Sequence, residues 1–237
     1  SFLWLSDTHN RPENGEVLQQ TFARHPEAAF LTISGDLVNM GQFRNLFDEL
    51  FGQYRGFMEN RPIMPCIGNH DAIDGLGADL YLDTFALPVN GPAGLAPERA
   101  YSFRYGAALF LMLDVTDDMT VQTEWMRETL RKTDAPWKVV VLHFPPYCPM
   151  ESDLLVREAW EPVWDEQQVD LVLAGHVHHY LRTRPLHAGK IMSSEKEGTT
   201  YMITVSVSEK PFPTLKADYL AAADSSGEAL CVVFTEI

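Results

Sequence analysis

The sequence alternates short apolar runs with longer amphipathic stretches, and this alternation limits the possible folds more than any other feature. Strand character is found at residues 2–5, 28–33, 63–67, 101–105, 108–113, 138–143, 170–173, 200–207 and 230–235. Helical character is found at residues 13–24, 43–57, 78–85, 121–132 and 153–167. Several apolar runs are continuous, as in strands that are buried on both faces. The pattern predicts an α/β protein with a mixed sheet covered by helices.

The length of 237 residues and the even spread of these elements predict one domain over residues 1–237. With 46% hydrophobic and 22% charged residues, the composition excludes a disordered chain. The proline- and glycine-rich stretch 88–98 reads as a long surface loop, because strand-like residues resume directly after it. The longest apolar run, residues 107–113, is too short to span a membrane. Residue 1 is a serine followed at once by a strand, so we expect a trimmed or processed chain. The compartment, cytoplasmic or exported, is left open, as is the oligomeric state.

The formal net charge of −15 restricts the partners of the chain. Binding of a long nucleic acid depends on Lys and Arg that neutralise phosphates, so we expect no long nucleic acid as a partner. A small phosphate ester is not excluded, because a bound metal ion could hold it locally.

Polar residues follow the carboxyl ends of five predicted strands, where ligands bind in open α/β sheets. The five groups are Asp7-Thr8-His9, Gly35-Asp36, Gly68-Asn69-His70-Asp71, His143 and Gly175-His176-Val177-His178. They include five of the eight histidines of the chain. Imidazole and carboxylate together suit Mn, Fe or Zn. The sequence therefore predicts a metal site at one edge of the sheet.

The spacing within the groups supports this interpretation. In Asp-x-His and His-x-His the two donors lie on the same side of an extended segment, because side chains alternate with period two. Glycines 35, 68 and 175 permit tight turns where strand becomes loop. One central carboxylate could bridge two ions, and such a pair can clamp the attacking and leaving oxygens of a phosphoryl displacement.

The five groups, in this order between Asp7 and His178, resemble the calcineurin-like metallophosphoesterase superfamily. The segments at residues 100–106, 141–147 and 175–180 are similar to its purple acid phosphatase branch. Two positions depart from that branch. Asn39 stands where the branch has an iron-binding tyrosine, and His9 is a residue that the branch lacks. We therefore expect no tyrosinate–iron charge transfer and no purple colour.

The resemblance implies an α/β/β/α sandwich in which two mixed sheets are flanked by helices. It implies two metal ions, divalent or trivalent, of Fe, Mn or Zn. Asp7, His9, Asp36 and His178 would bind one ion, and Asp36, Asn69, His143 and His176 the other. A hydroxide between the ions would attack phosphorus in line. His70 would then protonate the leaving oxygen, and Asp71 would orient His70.

The substrate class stays open between alternatives. Similarity to purple acid phosphatases favours a phosphomonoester, whereas His9 is shared with phosphodiesterases. A nuclease is a less favoured alternative, as is a non-catalytic scaffold that keeps the fold. Phe144 and Tyr147 are candidates for lining the site. For His179 we expect packing or exposure, and for Asp114, Asp117 and Asp118 a solvated loop.

Overall fold

The computed structural model describes residues 1–73, 76–150, 153–204, 215–224 and 231–235. The helices are α1 (Pro12–Arg24), α2 (Arg44–Met58), α3 (Asp79–Thr84), α4 (Met119–Lys132) and α5 (Leu154–Gln167), with a short 3₁₀ helix at Glu195–Glu197. The strands are β1 (Phe2–Leu5), β2 (Leu31–Ser34), β3 (Ile63–Cys66), β4 (Tyr101–Tyr105), β5 (Ala108–Met112), β6 (Trp137–Val141), β7 (Leu171–Ala174), β8 (Tyr180–Thr183), β9 (Leu186–His187), β10 (Lys190–Ile191), β11 (Thr200–Ile203), β12 (Leu220–Asp224) and β13 (Val232–Phe234). Each predicted helix lies within two residues of an observed one.

The strands form two mixed sheets and a small hairpin. The first sheet has the order β13-β1-β2-β3, with β1, β2 and β3 parallel and β13 antiparallel. The second has the order β12-β8-β11-β7-β6-β5-β4, with a parallel centre from β11 to β5. β9 and β10 pair separately. The parallel centres direct their carboxyl ends to one edge, which is where the site residues follow.

The two sheets pack face to face through aromatic side chains. The Phe2 ring of β1 meets the Phe110 ring of β5 edge-on, with the centroids 5.1 Å apart. Because side chains alternate along a strand, Phe110 and Met112 face the first sheet while Leu109 and Leu111 join the cluster on the other side.

Helices cover the outer face of each sheet. Leu18 of α1 and Phe47 of α2 are buried in the cluster that contains β1 and β2. On the second sheet, Met126 of α4 and Trp160 and Trp164 of α5 pack over Leu111 and its neighbours. The α/β/β/α sandwich with two mixed sheets flanked by helices is thus confirmed, and the single sheet expected from the residue pattern alone is replaced by two. The described helices include none that has both the length and the apolarity needed to cross a bilayer.

Some sequence predictions are wrong or incomplete. β8, β9, β10 and β12 were not predicted: β9 and β10 have two residues each, and β12 is rich in alanine, which is depleted in strands. Residues 205–207 and 230 of two predicted strands lie outside the described residues. Asp114 is not solvated but fully buried, where its carboxylate accepts a 2.7 Å hydrogen bond from Arg99 Nε. Asp118 caps α4 by accepting from the Thr120 amide.

Candidate metal centre

The loops that follow β1, β2, β3, β6 and β7 converge at one edge of the sandwich. They bring together the side chains of all seven predicted metal ligands. Three of these residues follow β1 and β2, one follows β3, and three follow β6 and β7 of the second sheet. These residues are Asp7, His9, Asp36, Asn69, His143, His176 and His178. Both sheets are therefore needed to build the centre.

The first group of ligand atoms comes from Asp7, His9 and His178. His178 Nε2 lies 3.2 Å from His9 Nε2 and 3.3 Å from Asp7 Oδ1. Two imidazole nitrogens at this separation match two ligands of one ion, since zinc–nitrogen bonds are about 2.1 Å long.

The second group comes from Asp36, His143 and His176, joined by Asn69. His143 Nε2 lies 3.2 Å from Asp36 Oδ2 and 3.0 Å from Asn69 Oδ1. Asp36 Oδ2 is also 3.6 Å from His9 Nε2 in the first group. Asp36 thus stands between the two groups, in the position that a bridging carboxylate requires.

Backbone strain is concentrated in these residues. Five of the seven candidate ligands have left-handed φ angles, which side-chain-bearing residues rarely adopt. They are Asp7 at 51°, His9 at 45°, Asp36 at 52°, His176 at 72° and His178 at 50°. Strain of this kind typically clusters at functional sites, where the surrounding structure holds it in place.

Neighbouring groups fix the orientation of the ligands. His143 Nδ1 donates to the Ser34 carbonyl at 2.8 Å, which leaves Nε2 for the site. The Asp7 carboxylate accepts from the His176 amide at 2.9 and 3.0 Å and from the Ser6 hydroxyl. Sequence reasoning missed both serines: Ser34 acts through its backbone carbonyl, which leaves no residue-type signal, and the hydroxyl of Ser6 belongs to no motif.

Burial and mutual contact set the charges of the ligands. Burial lowers the pKa of His9 to about 4, so its ring is neutral at neutral pH. Burial alone would lower the pKa of His143, but the Asp36 carboxylate raises it to about 9. Although burial opposes ionisation of Asp36, the imidazoles of His143 and His9 hold its pKa below the usual range. A metal ion must therefore displace a proton from His143, and the donor set of neutral imidazoles and an ionised carboxylate fits Mn, Fe or Zn.

His70 lies beside the centre with a defined tautomer. Its Nδ1 is 2.8 Å from the Asn39 carbonyl, its backbone amide donates to Asp36 Oδ1 at 2.8 Å, and its ring meets that of His9 edge-on. Because a carbonyl only accepts hydrogen bonds, Nδ1 carries the hydrogen and Nε2 is the nitrogen available for proton exchange.

Asp71 connects two of the loops that carry candidate ligands. Its fully buried carboxylate accepts from the amides of Leu37 at 2.9 Å, Val38 at 3.2 Å and Gly68 at 2.9 Å. The orientation of His70 by Asp71 stays a prediction: the hydrogen bonds of the carboxylate among the described residues come from these amides, and His70 Nδ1 faces the Asn39 carbonyl. Asp71 joins the loop that carries Asp36 to the loop that carries Asn69.

Replacing Asp71 tests this bracing role. In Asp71→Asn the side-chain NH₂ meets at least one backbone N–H that has lost its acceptor, and an unsatisfied buried donor costs about 1–3 kcal/mol. We expect the free energy of unfolding to fall by that amount in urea titrations of the metal-free protein. Asp48→Asn, at an exposed position on α2, is the matched control. A variant with unchanged stability but lost activity would instead favour direct action on His70.

Comparisons with known proteins agree with this geometry. The sequence profile of the calcineurin-like phosphoesterase family matches residues 1–180. An uncharacterized protein of Mycobacterium tuberculosis is 31% identical over 213 residues, which cover 77% of this chain and 40% of that protein. Purple acid phosphatase 23 of Arabidopsis thaliana is 32% identical over 139 residues, which cover 53% of this chain and 30% of that protein. The chain thus spans less than half the length of these relatives.

A solved structure has the same fold. Purple acid phosphatase PPD1 from yellow lupin seeds superposes with a TM-score of 0.78 at 18% identity, over 94% of this chain and 47% of that one. At this identity the likeness establishes the architecture alone.

Proposed function

Because the chain belongs to the calcineurin-like phosphoesterase family, we propose that it hydrolyses small phosphate esters with a pair of metal ions. The observation that carries this proposal is the position of Asp36, which shares one group of potential ligand atoms with His143 and His176 and another with His9 and His70. A shared carboxylate is what a two-metal site needs and what a single structural ion does not.

The residues divide between the two ions as their contacts suggest. Asp7, His9, Asp36 and His178 would hold one, and Asp36, Asn69, His143 and His176 the other. When bound, two such ions supply positive charge to the phosphoryl oxygens and make a water molecule acidic enough to serve as a nucleophile in line with the leaving group.

The chain itself would supply the proton for the leaving oxygen. His70 Nε2 is the donor, since the Asn39 carbonyl retains the hydrogen on Nδ1. Asn39 is thus a positioning residue that acts through its backbone. Its position is the one where the purple acid phosphatase branch has its tyrosine, so the iron-loaded protein is expected to lack a tyrosinate charge-transfer band.

The monoester is favoured because one named relative, purple acid phosphatase 23 of Arabidopsis thaliana, is a phosphatase. The alternatives are a phosphodiesterase, which His9 favours, and a scaffold without activity. A scaffold is disfavoured because every ligand position retains a metal-binding side chain.

Hydrolysis assays with controlled metal content test the proposal. Protein loaded with Mn, Fe or Zn should hydrolyse 4-nitrophenyl phosphate at least about tenfold faster than bis(4-nitrophenyl) phosphate, and chelation should abolish both reactions. Elemental analysis should give two ions per chain. The reverse order of rates would favour the phosphodiesterase, and metal-loaded protein without turnover of either ester would contradict the proposal.

His70 is tested by varying the leaving group. His70→Gln should reduce hydrolysis of an alkyl phosphate by about 10²–10⁴, the usual contribution of a general acid. The effect on 4-nitrophenyl phosphate should be much smaller, because that phenolate leaves without protonation. His187→Gln, at an exposed histidine on β9, is the control. Equal losses on both esters would argue against proton donation.

A further inference from the structure

Exposed apolar side chains are unevenly distributed over the described residues. Nine large hydrophobic side chains are exposed there, and six of them follow a candidate metal ligand within twelve residues along the chain. We call these six the apolar rim: Met40, Phe43, Leu76, Met150, Leu154 and Leu155. Exposed apolar surface concentrated beside a polar site typically marks a binding surface.

One side of the rim adjoins His70. The amide of Gly41 donates to the His70 carbonyl at 2.8 Å, and the Phe43 amide donates to the Met40 carbonyl at 3.1 Å. This turn holds Met40 and Phe43 against the loop of the general acid. Phe43, which directly precedes α2, is 51% exposed.

The other side adjoins the metal ligands of the second sheet. The half-buried ring of Phe144 lies 4.7 Å from the His176 ring and 5.3 Å from the His143 ring, measured between centroids. The Asp153 amide donates to the Pro145 carbonyl at 2.8 Å, which ties the start of α5 to this segment. Leu154 and Leu155, 59% and 74% exposed, follow directly.

The chemistry of the two flanking segments is uniform. Neither residues 37–43 nor residues 144–150 include a charged side chain, although 22% of the whole chain is charged. An alkyl or aryl group bound there would remove apolar surface from water on both sides.

We propose that the apolar rim receives the organic part of the substrate, which is therefore a phosphate ester of an apolar alcohol. This inference rests on the proposed function, because only a phosphate held at the metal centre places the rest of the ester over the rim. The rim is continuous with the centre through the His70 loop on one side and through Phe144 on the other, so one molecule can reach both.

Calorimetric binding of alkylphosphonates, which are not hydrolysed, tests the rim without using activity. Full burial of a methylene contributes about 0.8 kcal/mol, or about fourfold in affinity, and partial burial about twofold. Octylphosphonate should therefore bind the metal-loaded protein about 60-fold more tightly than ethylphosphonate. The double variant Leu154→Ser/Leu155→Ser should lose most of this gain while its affinity for ethylphosphonate stays unchanged.

The control variant is Ile191→Ser, at an exposed position of the hairpin that contacts Asp165 near the end of α5. Ile191→Ser should keep the full difference in affinity between octylphosphonate and ethylphosphonate. Equal affinities for both phosphonates would overturn the rim proposal and leave the proposed function standing. Failure of both to bind, together with absent turnover of 4-nitrophenyl phosphate, would contradict the proposed function as well.

Two further measurements separate other occupants of the rim. If phosphatidylcholine vesicles sediment the parent protein but not the Leu154→Ser/Leu155→Ser variant, the rim binds a membrane, and the substrate proposal is overturned. If the parent is a dimer by light scattering and this variant a monomer, the rim is an interface between two copies, with the same consequence. The proposal is supported if the parent protein is a monomer, does not sediment with vesicles and binds octylphosphonate more tightly than ethylphosphonate.

Discussion

The variant Asp36→Asn is expected to lose at least about 10³-fold in hydrolytic activity and to retain no more than one metal ion per chain. Changing a group that merely orients a metal ligand typically costs 10- to 100-fold in metal affinity or activity. The loss should be larger for Asp36, because a shared ligand serves both ions. Asn tolerates the left-handed φ of 52° at this position, so the effect reports the lost carboxylate and not backbone strain.

Elemental analysis and phosphate release from 4-nitrophenyl phosphate measure the two parts of this prediction. Asp48→Asn, which removes an exposed carboxylate on α2, should keep two ions and full activity. The pKa of His143 should also fall, since Asp36 contributes most to raising it, and NMR of the metal-free protein can follow that titration. If Asp36→Asn retains two ions and activity within a few fold of the parent, the shared-carboxylate arrangement is wrong.

The helices were predictable because their apolar residues recur with the helical period. In α2, Phe47, Leu50 and Tyr54 follow the spacing of one buried face, and the structure buries all three. The convergence of the candidate ligands was predictable because each follows an apolar strand at the same sheet edge, so order along the chain carries information on position in space.

The remaining features depend on contacts that residue types do not encode. Asp71 and Asp114 are both buried carboxylates, yet one accepts backbone amides and the other pairs with Arg99. The local sequence does not distinguish them, because Leu37 and Val38, which donate to Asp71, and Arg99, which donates to Asp114, come from distant segments. The hydrogen bond from His70 to the Asn39 carbonyl could not be predicted from residue types either, since any residue at position 39 supplies a carbonyl.

The net charge illustrates how local and global electrostatics differ. The formal charge of −15 opposes a long polyanion, but it counts no bound ions. Two divalent ions would add about +4 at the single edge where the ligands converge. The protein could then hold one phosphate group while its overall field repels a nucleic acid.

The variant Gly68→Ala is expected to abolish binding of the second metal ion without any change in ligand chemistry. A Cβ at position 68 would lie 2.2 Å from the Asp36 amide nitrogen and 2.3 Å from Asp36 Oδ1. Those atoms belong to the backbone and to the candidate bridging ligand, so relief of the clash must move Asp36 itself. The φ angle at Gly68 is one that alanine also adopts, and the effect is therefore steric rather than conformational.

Gly56→Ala is the matched control, because a Cβ at that position on α2 meets no atom within 4 Å. It should raise the free energy of unfolding by about 0.5–1 kcal/mol, since alanine favours the helix over glycine. Gly68→Ala should lower that energy by about 1–3 kcal/mol, as overpacking does, and should bind one ion or none by elemental analysis. A Gly68→Ala protein with two ions per chain would show that the Asp36 loop can retreat without losing the site, and that the close packing of the β2 and β3 loops is not what positions the shared carboxylate.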